Sequence, residues 1–275
     1  MKNSLEVAAN NIRVNCLKMT SKGGSSHIGS CLSCVDILTF LYSSFLNIKP
    51  NTTASVDGDI FIMSKGHAGA AVYATLAEFG FIDRDMLGMH YMDGSLMSGH
   101  VSHYGLNGVE FSTGSLGHGL GVAAGSAFSQ KYLDKNKAKT VCLLSDGELD
   151  EGSNWEAFLF SAHYKLDNLI AFVDRNRLQS LEDTETTIAL DPLDEKLRSF
   201  GWKVIEIDGH NFSEFRALKD KITNANQPTC VVCNTIKGKG ISFMENSVLW
   251  HYRSAQGDEF NNALKELTLL GENFS

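Results

Sequence analysis

Residues 140–148 read Thr-Val-Cys-Leu-Leu-Ser-Asp-Gly-Glu, an apolar run that stops abruptly at Asp146-Gly147. A short run without polar alternation suits a strand covered on both faces, as in parallel sheets. Four more such runs lie outward from it: 59–64 (DIFIMS), 169–174 (LIAFVD), 203–208 (KVIEID) and 229–236 (TCVVCNTI). Helical patterns over 116–133, 152–165 and 212–226 alternate with them. The alternation predicts an α/β fold: a doubly wound, mostly parallel sheet with helices on both faces. There is no composition break, repeat or low-complexity stretch, so residues 1–275 read as one domain. In such sheets ligands bind beyond the carboxyl ends of the strands, so the residues just after each run are the ones to read for chemistry.

Composition narrows the class. Hydrophobic residues make up 43% of the 275, enough for a full core. The 24 basic and 32 acidic side chains leave a formal charge of −8, which argues against nucleic acid as a partner. No apolar run approaches the ~18 residues of a membrane span. The opening MKNSLEVAANNIRVN lacks the apolar core of a signal peptide, so a cytoplasmic protein is expected. Two Cys-x-x-Cys pairs, Cys31/Cys34 and Cys230/Cys233, raise the question of zinc. On a strand, residues three apart point to opposite faces, so Cys230 and Cys233 cannot share an ion. Cys31 and Cys34 open an apolar segment with helical spacing and read as small buried hydrophobes.

At the strand ends, Asp146 and Asn176 stand about thirty residues apart on successive strands with a helix between. That brings a carboxylate and an amide oxygen to one rim, hard donors suited to magnesium holding a diphosphate. Gly147 leaves room for phosphate beside the backbone. Each alone would be ordinary, since Asp-Gly is a common turn and Asn a common helix cap. A rival is the loose fingerprint Gly119-x-Gly121-x-x-Ala124 after Gly108-Val109-Glu110-Phe111-Ser112, with Asp146 as ribose acid, which would suit a dinucleotide. It leaves Asn176 and the histidines unexplained.

Five segments carry a wider resemblance. They are Gly24-Ser25-Ser26-His27-Ile28-Gly29-Ser30; Ser64-Lys65-Gly66-His67-Ala68; Gly99-His100-Val101 with residues 108–117; residues 146–178; and Thr235-Ile236-Lys237-Gly238-Lys239-Gly240 with Trp250-His251. In this order, over residues 5 to 255, they resemble the amino-terminal half of the transketolase family. The resemblance implies thiamine diphosphate and Mg2+ as cofactors. It implies that Asp146, Asn176 and the Leu178 carbonyl bind the metal. His67, Gly147, Asn176 and His251 would contact the diphosphate, and Gly114 and Leu116 the cofactor rings. His27, His67, His100 and His251 would surround the substrate, where imidazoles can shuttle protons at neutral pH. Glu151 and Glu156 resemble acids that link two active sites across a subunit interface, placing Glu151 with the cofactor-binding set. His103 and His118 are given no role.

The departures from the family pattern are Ser145 for a glycine, Ile28 and Val101 for prolines, and Tyr252-Arg253 for a small-residue turn. All but Ser145 fall in loops expected to line the substrate channel. Transketolases are normally more than twice as long, and their second domain supplies the glutamate that hydrogen-bonds the aminopyrimidine. The expectation is a subunit that transfers a two-carbon ketol from a ketose (phosphate) to an aldose (phosphate), active only with a second subunit. That subunit would carry the pyrimidine-binding domain and the activating glutamate, in a two-fold symmetric heterotetramer. Trp155 and its neighbours would face the other chains. Alternatives are the diphosphate-binding subunit of a 2-oxo-acid decarboxylating enzyme, which the four histidines disfavour, and a non-catalytic homologue, which Asp146 and Asn176 disfavour.

Overall fold

The computed structural model describes residues 4–50, 58–222 and 226–274. Five strands form one sheet: β1 (Ile60–Met63), β2 (Thr140–Ser145), β3 (Leu169–Arg175), β4 (Lys203–Asp208) and β5 (Thr229–Asn234). Their order is β1-β2-β3-β5-β4 and every pairing is parallel. The expected doubly wound sheet is therefore present.

Alternation along the strands explains why both faces are covered. Val141 and Leu143 of β2, Ile170 and Phe172 of β3, and Val231 and Cys233 of β5 enter one core. Cys142 and Leu144, Ala171 and Val173, and Cys230 and Val232 enter the other. The first core is closed by α1 (Ser4–Gly23), α2 (Ile28–Ser33), α3 (Val35–Phe40), α4 (Gly69–Glu78), α9 (Phe212–Ile222) and α10 (Gly257–Phe274). The second is closed by α5 (Gly119–Phe128), α6 (Gly152–His163) and α8 (Leu193–Ser199); a short α7 (Thr184–Thr187) precedes α8. A one-residue slip of any central strand would exchange its two apolar sets between cores of different shape, which pins the register. Cys230 and Cys233 sit in different cores, as period-two geometry requires. All six thiols are free and buried.

Boundaries move where side chains capture the backbone. The run expected to reach residue 236 leaves the sheet at Asn234, because Thr235 Oγ1 donates to Asp174 and Ile236 N donates to His210 Nε2 at 2.9 Å. The helix expected from 116 starts at Gly119, because Gly117 takes the left-handed φ of 84°. It runs on through a wider π turn to Leu133. The helix expected over 212–226 ends at Ile222, and residues 223–225 lie outside the described residues. Residues 108–112 form no strand, so α5 lacks the strand that a dinucleotide fingerprint needs.

Candidate active site

The sheet order places the ends of β1, β2, β3 and β5 side by side along one rim. Asp146 leaves β2, and Asn176 leaves the neighbouring β3. Asp146 Oδ1 accepts from Gly147 N at 2.9 Å and Oδ2 from Arg177 N at 2.6 Å. Asn176 Oδ1 accepts from Leu178 N at 3.1 Å, and its Nδ2 donates to Asp174 at 3.2 Å. Burial, with Asp174 adding, raises the Asp146 carboxyl to about 6. Its ionised form is thus held at a cost that a cation would relieve.

Four histidines converge over this rim. The His27 ring lies 5.2 Å from His67, 5.8 Å from His100 and 4.8 Å from His251, and His67 lies 6.0 Å from His251. They come from four separate segments. His27 has a left-handed φ of 74° and its N–H donates to the His251 carbonyl at 2.8 Å. His67 stands in the tight turn after β1. There a Cβ on Gly66 would come within 2.5 Å of the Thr113 backbone, so only glycine fits. Val101 N donates to Gly66 O at 3.0 Å and Thr113 N to Val101 O at 3.2 Å, which draws the His100 loop against that turn. Burial, then the neighbouring His100, lowers His27 to about 4. Burial, then Lys237, lowers His251 to about 3, and burial, then Lys65, holds His67 well below its ordinary value. At neutral pH these three rings are uncharged, each with one N–H to give and one lone pair to receive.

Together with Gly114, Leu116, Asp146, Gly147, Asn176 and Leu178, the histidines line one cavity of about 260 Å3. Ten of the expected site residues therefore meet in one place. Glu151 does not; it is exposed at the start of α6. Glu156 lines a second, more apolar groove of about 950 Å3 between α5 and α6, with Gly121, Gly125 and Phe160. Trp155, expected in a surface that faces the other chains, is not left unsatisfied in this chain alone. It is half-buried, donates from Nε1 to Leu149 O at 2.8 Å and packs on Phe158 and Phe200. The exposed apolar side chains of α6 are Leu159 and Phe160.

Sequence reasoning gave no role to the charges beneath the cavity. Lys65 and Asp174 are both fully buried and form an ion pair. Burial alone would lower the Lys65 ammonium, but the Asp174 carboxylate overrides it and raises it. Asp174 also accepts from Ser33 at 2.5 Å and from Thr235. Lys237 donates to the Leu178 and Gln179 carbonyls and to His251 Nδ1, each at 2.9 Å. Burial, with Lys65 adding, lowers it to about 8. A carboxylate ending an otherwise apolar, doubly covered strand was the available signal for Asp174, since such a group must be paired.

Glu148 joins three site loops. Its carboxylate accepts from Ser64 Oγ, from Gly117 N at 2.9 Å and from Ser145 N at 3.2 Å, and burial raises its pKa. Glu148→Ala strands these donors in a dry environment, and a loss on the order of 3 kcal/mol is expected. Denaturant unfolding checks this, and an unchanged midpoint would show that the loops hold without it.

The donor set fits a metal carried by an anionic ligand. Among the described residues no three His, Cys, Asp or Glu side chains group as a metal site. Asp146, Asn176 and the Leu178 carbonyl offer three oxygens and one charge, so a hard cation there needs further oxygens from what it binds. Gly147 keeps the backbone open at this point; a Cβ there would lie 2.8 Å from Gln179 Cγ.

A family model described as transketolase, thiamine diphosphate binding domain, matches residues 4–273. An apulose-4-phosphate transketolase subunit from Actinobacillus succinogenes is 43% identical over 265 residues, covering 96% of this chain and 95% of that protein. The 6-deoxy-6-sulfo-D-fructose transketolase subunit SqwG of a Clostridium species is 36% identical, with 97% of each chain covered. Transketolase from Campylobacter jejuni superimposes with a TM-score of 0.89 at 27% identity. That match covers 100% of this chain but only 46% of the solved one. No helix among the described residues is long and apolar enough to cross a membrane.

Proposed function

Since the chain belongs to the transketolase family, as its thiamine diphosphate binding domain, we propose that it is the diphosphate-binding subunit of a two-chain transketolase. The reaction moves a two-carbon ketol from a ketose to an aldose. The observation that carries the reading is the four-histidine cluster opening onto the Asp146 and Asn176 strand ends. The single sheet supports taking residues 1–275 as one domain of this kind.

Asp146, Asn176 and the Leu178 carbonyl hold Mg2+. Gly147, His67, Asn176 and His251 hold the diphosphate, and Gly114 and Leu116 lie against the rings. Thiamine diphosphate, when bound, supplies the electron sink for cleaving the ketose beside its carbonyl. This chain's residues orient the sugar and move protons. Lys237 donates to His251 Nδ1, which leaves the proton of the neutral ring on Nε2. His27 Nδ1 is buried without a partner among the described residues, so a ligand hydroxyl can satisfy it. Three uncharged imidazoles can take a proton from a donor hydroxyl and return it to an acceptor oxygen.

The partner would be a second subunit carrying the pyrimidine-binding domain and its glutamate, in a two-fold symmetric heterotetramer. Relatives matched over nearly their whole length are named as subunits, which supports this. So does the groove beside Glu156, whose apolar lining calls for cover. Glu151, exposed at the start of the same helix, would join the link between paired sites. The two ketoses in those relatives' names each carry a phosphate or a sulfonate. A ketose with an anionic group is therefore the proposed substrate class. Among the described residues Lys237 is the only Lys or Arg on the cavity wall and it already serves three acceptors, so the partner would hold that anion.

His100→Ala tests the cluster. Loss of a positioned acid–base group is expected to lower turnover on the order of 10²-fold while cofactor binding changes far less. Steady-state kinetics and a cofactor titration of the assembled enzyme measure both, and unchanged turnover would remove His100 from the site. Products from a ketose phosphate and from pyruvate, a 2-oxo acid with no ketol to transfer, separate this reading from a decarboxylating enzyme.

A further inference from the structure

Tyr252 follows the last histidine of the cluster, and the proposed function leaves it without a role. Its ring packs 4.7 Å from His251, near edge-on, and 6.1 Å from His27. It lines the same cavity but remains 58% exposed, so it stands one ring outward from the histidines, at the mouth. Among the described residues its phenol makes no hydrogen bond. The turn around it is fixed. The His251 carbonyl accepts from His27 N at 2.8 Å, and Trp250 is buried with Nε1 donating to Phe243 O at 3.0 Å. Arg253 is turned away, its Nη2 donating to both carboxylate oxygens of Glu259 at 2.7 and 2.9 Å and its guanidinium 5.2 Å from the Trp250 ring centre. The turn thus presents an aromatic face and a hydroxyl to the mouth and keeps its charge outside.

We infer that Tyr252 is a specificity-determining residue that contacts the hydroxyl-bearing carbons of the sugar beyond the two transferred. The inference rests on the proposed ketol transfer, in which the histidines surround the reacting carbons. Whatever enters past Tyr252 with its first two carbons among the imidazoles must lay its next carbons along this ring. An aromatic face packs against sugar C–H groups, and a phenol both gives and accepts a hydrogen bond to hydroxyls. A short substrate, with only one or two carbons beyond the transferred unit, makes little of this contact.

The test uses the assembled two-chain enzyme with thiamine diphosphate and magnesium and compares two substrate pairs. The long pairs combine D-xylulose 5-phosphate, D-fructose 6-phosphate, apulose 4-phosphate or 6-deoxy-6-sulfo-D-fructose, the last two being the ketoses in the relatives' names, with an aldose phosphate. The short pair is hydroxypyruvate with glycolaldehyde: the bond to the carboxylate breaks, CO2 leaves, the two-carbon unit joins the aldehyde carbon and the aldehyde oxygen takes a proton. Tyr252→Ala is expected to lower the ratio of kcat/KM for the long pair to that for the short pair about tenfold, through KM and not kcat, because the contact is made in both ground and transition states. Leu249→Ala, an exposed change three residues earlier that does not line the cavity, is expected to leave the ratio as it is. An unaltered ratio in Tyr252→Ala, with both pairs turned over by the wild type, overturns the assignment and leaves ketol transfer standing. Failure of the wild type on every pair overturns the proposed function and this inference with it.

Discussion

Asp146→Ala is expected to abolish magnesium-dependent binding of thiamine diphosphate while leaving the fold intact. Asp146 supplies the one carboxylate of the proposed ligand set; Asn176 and the Leu178 carbonyl are neutral. Outer-shell changes alone commonly cost roughly 10–100-fold in metal affinity, so removal of a ligand should cost more. The fold should tolerate the change because buried Asp146, raised to about 6 beside Asp174, is destabilised as an anion in the metal-free protein. Arg175, 3.4 Å from Asp146, keeps Thr184 at 2.7 Å and Glu185 at 2.6 Å as partners. Calorimetric titration of cofactor with magnesium into the assembled variant, alongside thermal unfolding, separates the two effects. Normal binding would show that the metal lies elsewhere.

The purified chain by itself is expected to show no ketol transfer, even with saturating thiamine diphosphate and magnesium. The family's activating group is a glutamate hydrogen-bonded to the aminopyrimidine. Among the described residues the one glutamate on this cavity wall, Glu148, is already bound to Ser64, Gly117 and Ser145. On the proposed two-chain reading, activation comes from the partner. Adding the partner should restore turnover and tighten cofactor binding together, because two surfaces clamp one ligand. A lone chain that binds cofactor as tightly as the mixture would break that coupling; equilibrium titrations with and without the partner measure it.

Much of this architecture was legible in the sequence because its signals are local. β2 was bounded correctly from its apolar run alone, since a doubly covered strand leaves no other place for Val and Leu; β4, at the sheet edge, was bounded correctly although Lys203, Glu206 and Asp208 break its run. Asp146 and Asn176 were legible because parallel neighbours must deliver their next residues to one rim. What escaped were effects set by distant partners. The end of β5 depends on Asp174 and His210, which capture Thr235 and Ile236. The half-burial of Trp155 depends on Phe200, forty-five residues on, and on the Leu149 carbonyl. Lys65 and Lys237 look like surface residues by composition and are buried because carboxylate and carbonyl oxygens from other loops surround them. The histidines were found through motif resemblance, since no periodicity ties His27 to His251.

The most direct test supplies both chains, cofactor and magnesium with a ketose phosphate labelled with heavy carbon at C1 and C2, plus an unlabelled aldose phosphate, at varied ratios of the two chains. The expected product is the aldose lengthened by two labelled carbons, with a maximum rate near equal amounts of the chains and none at either extreme. Label transferred at full rate by this chain free of any second protein, or no labelled elongation at any ratio, would contradict the assignment of a split transketolase.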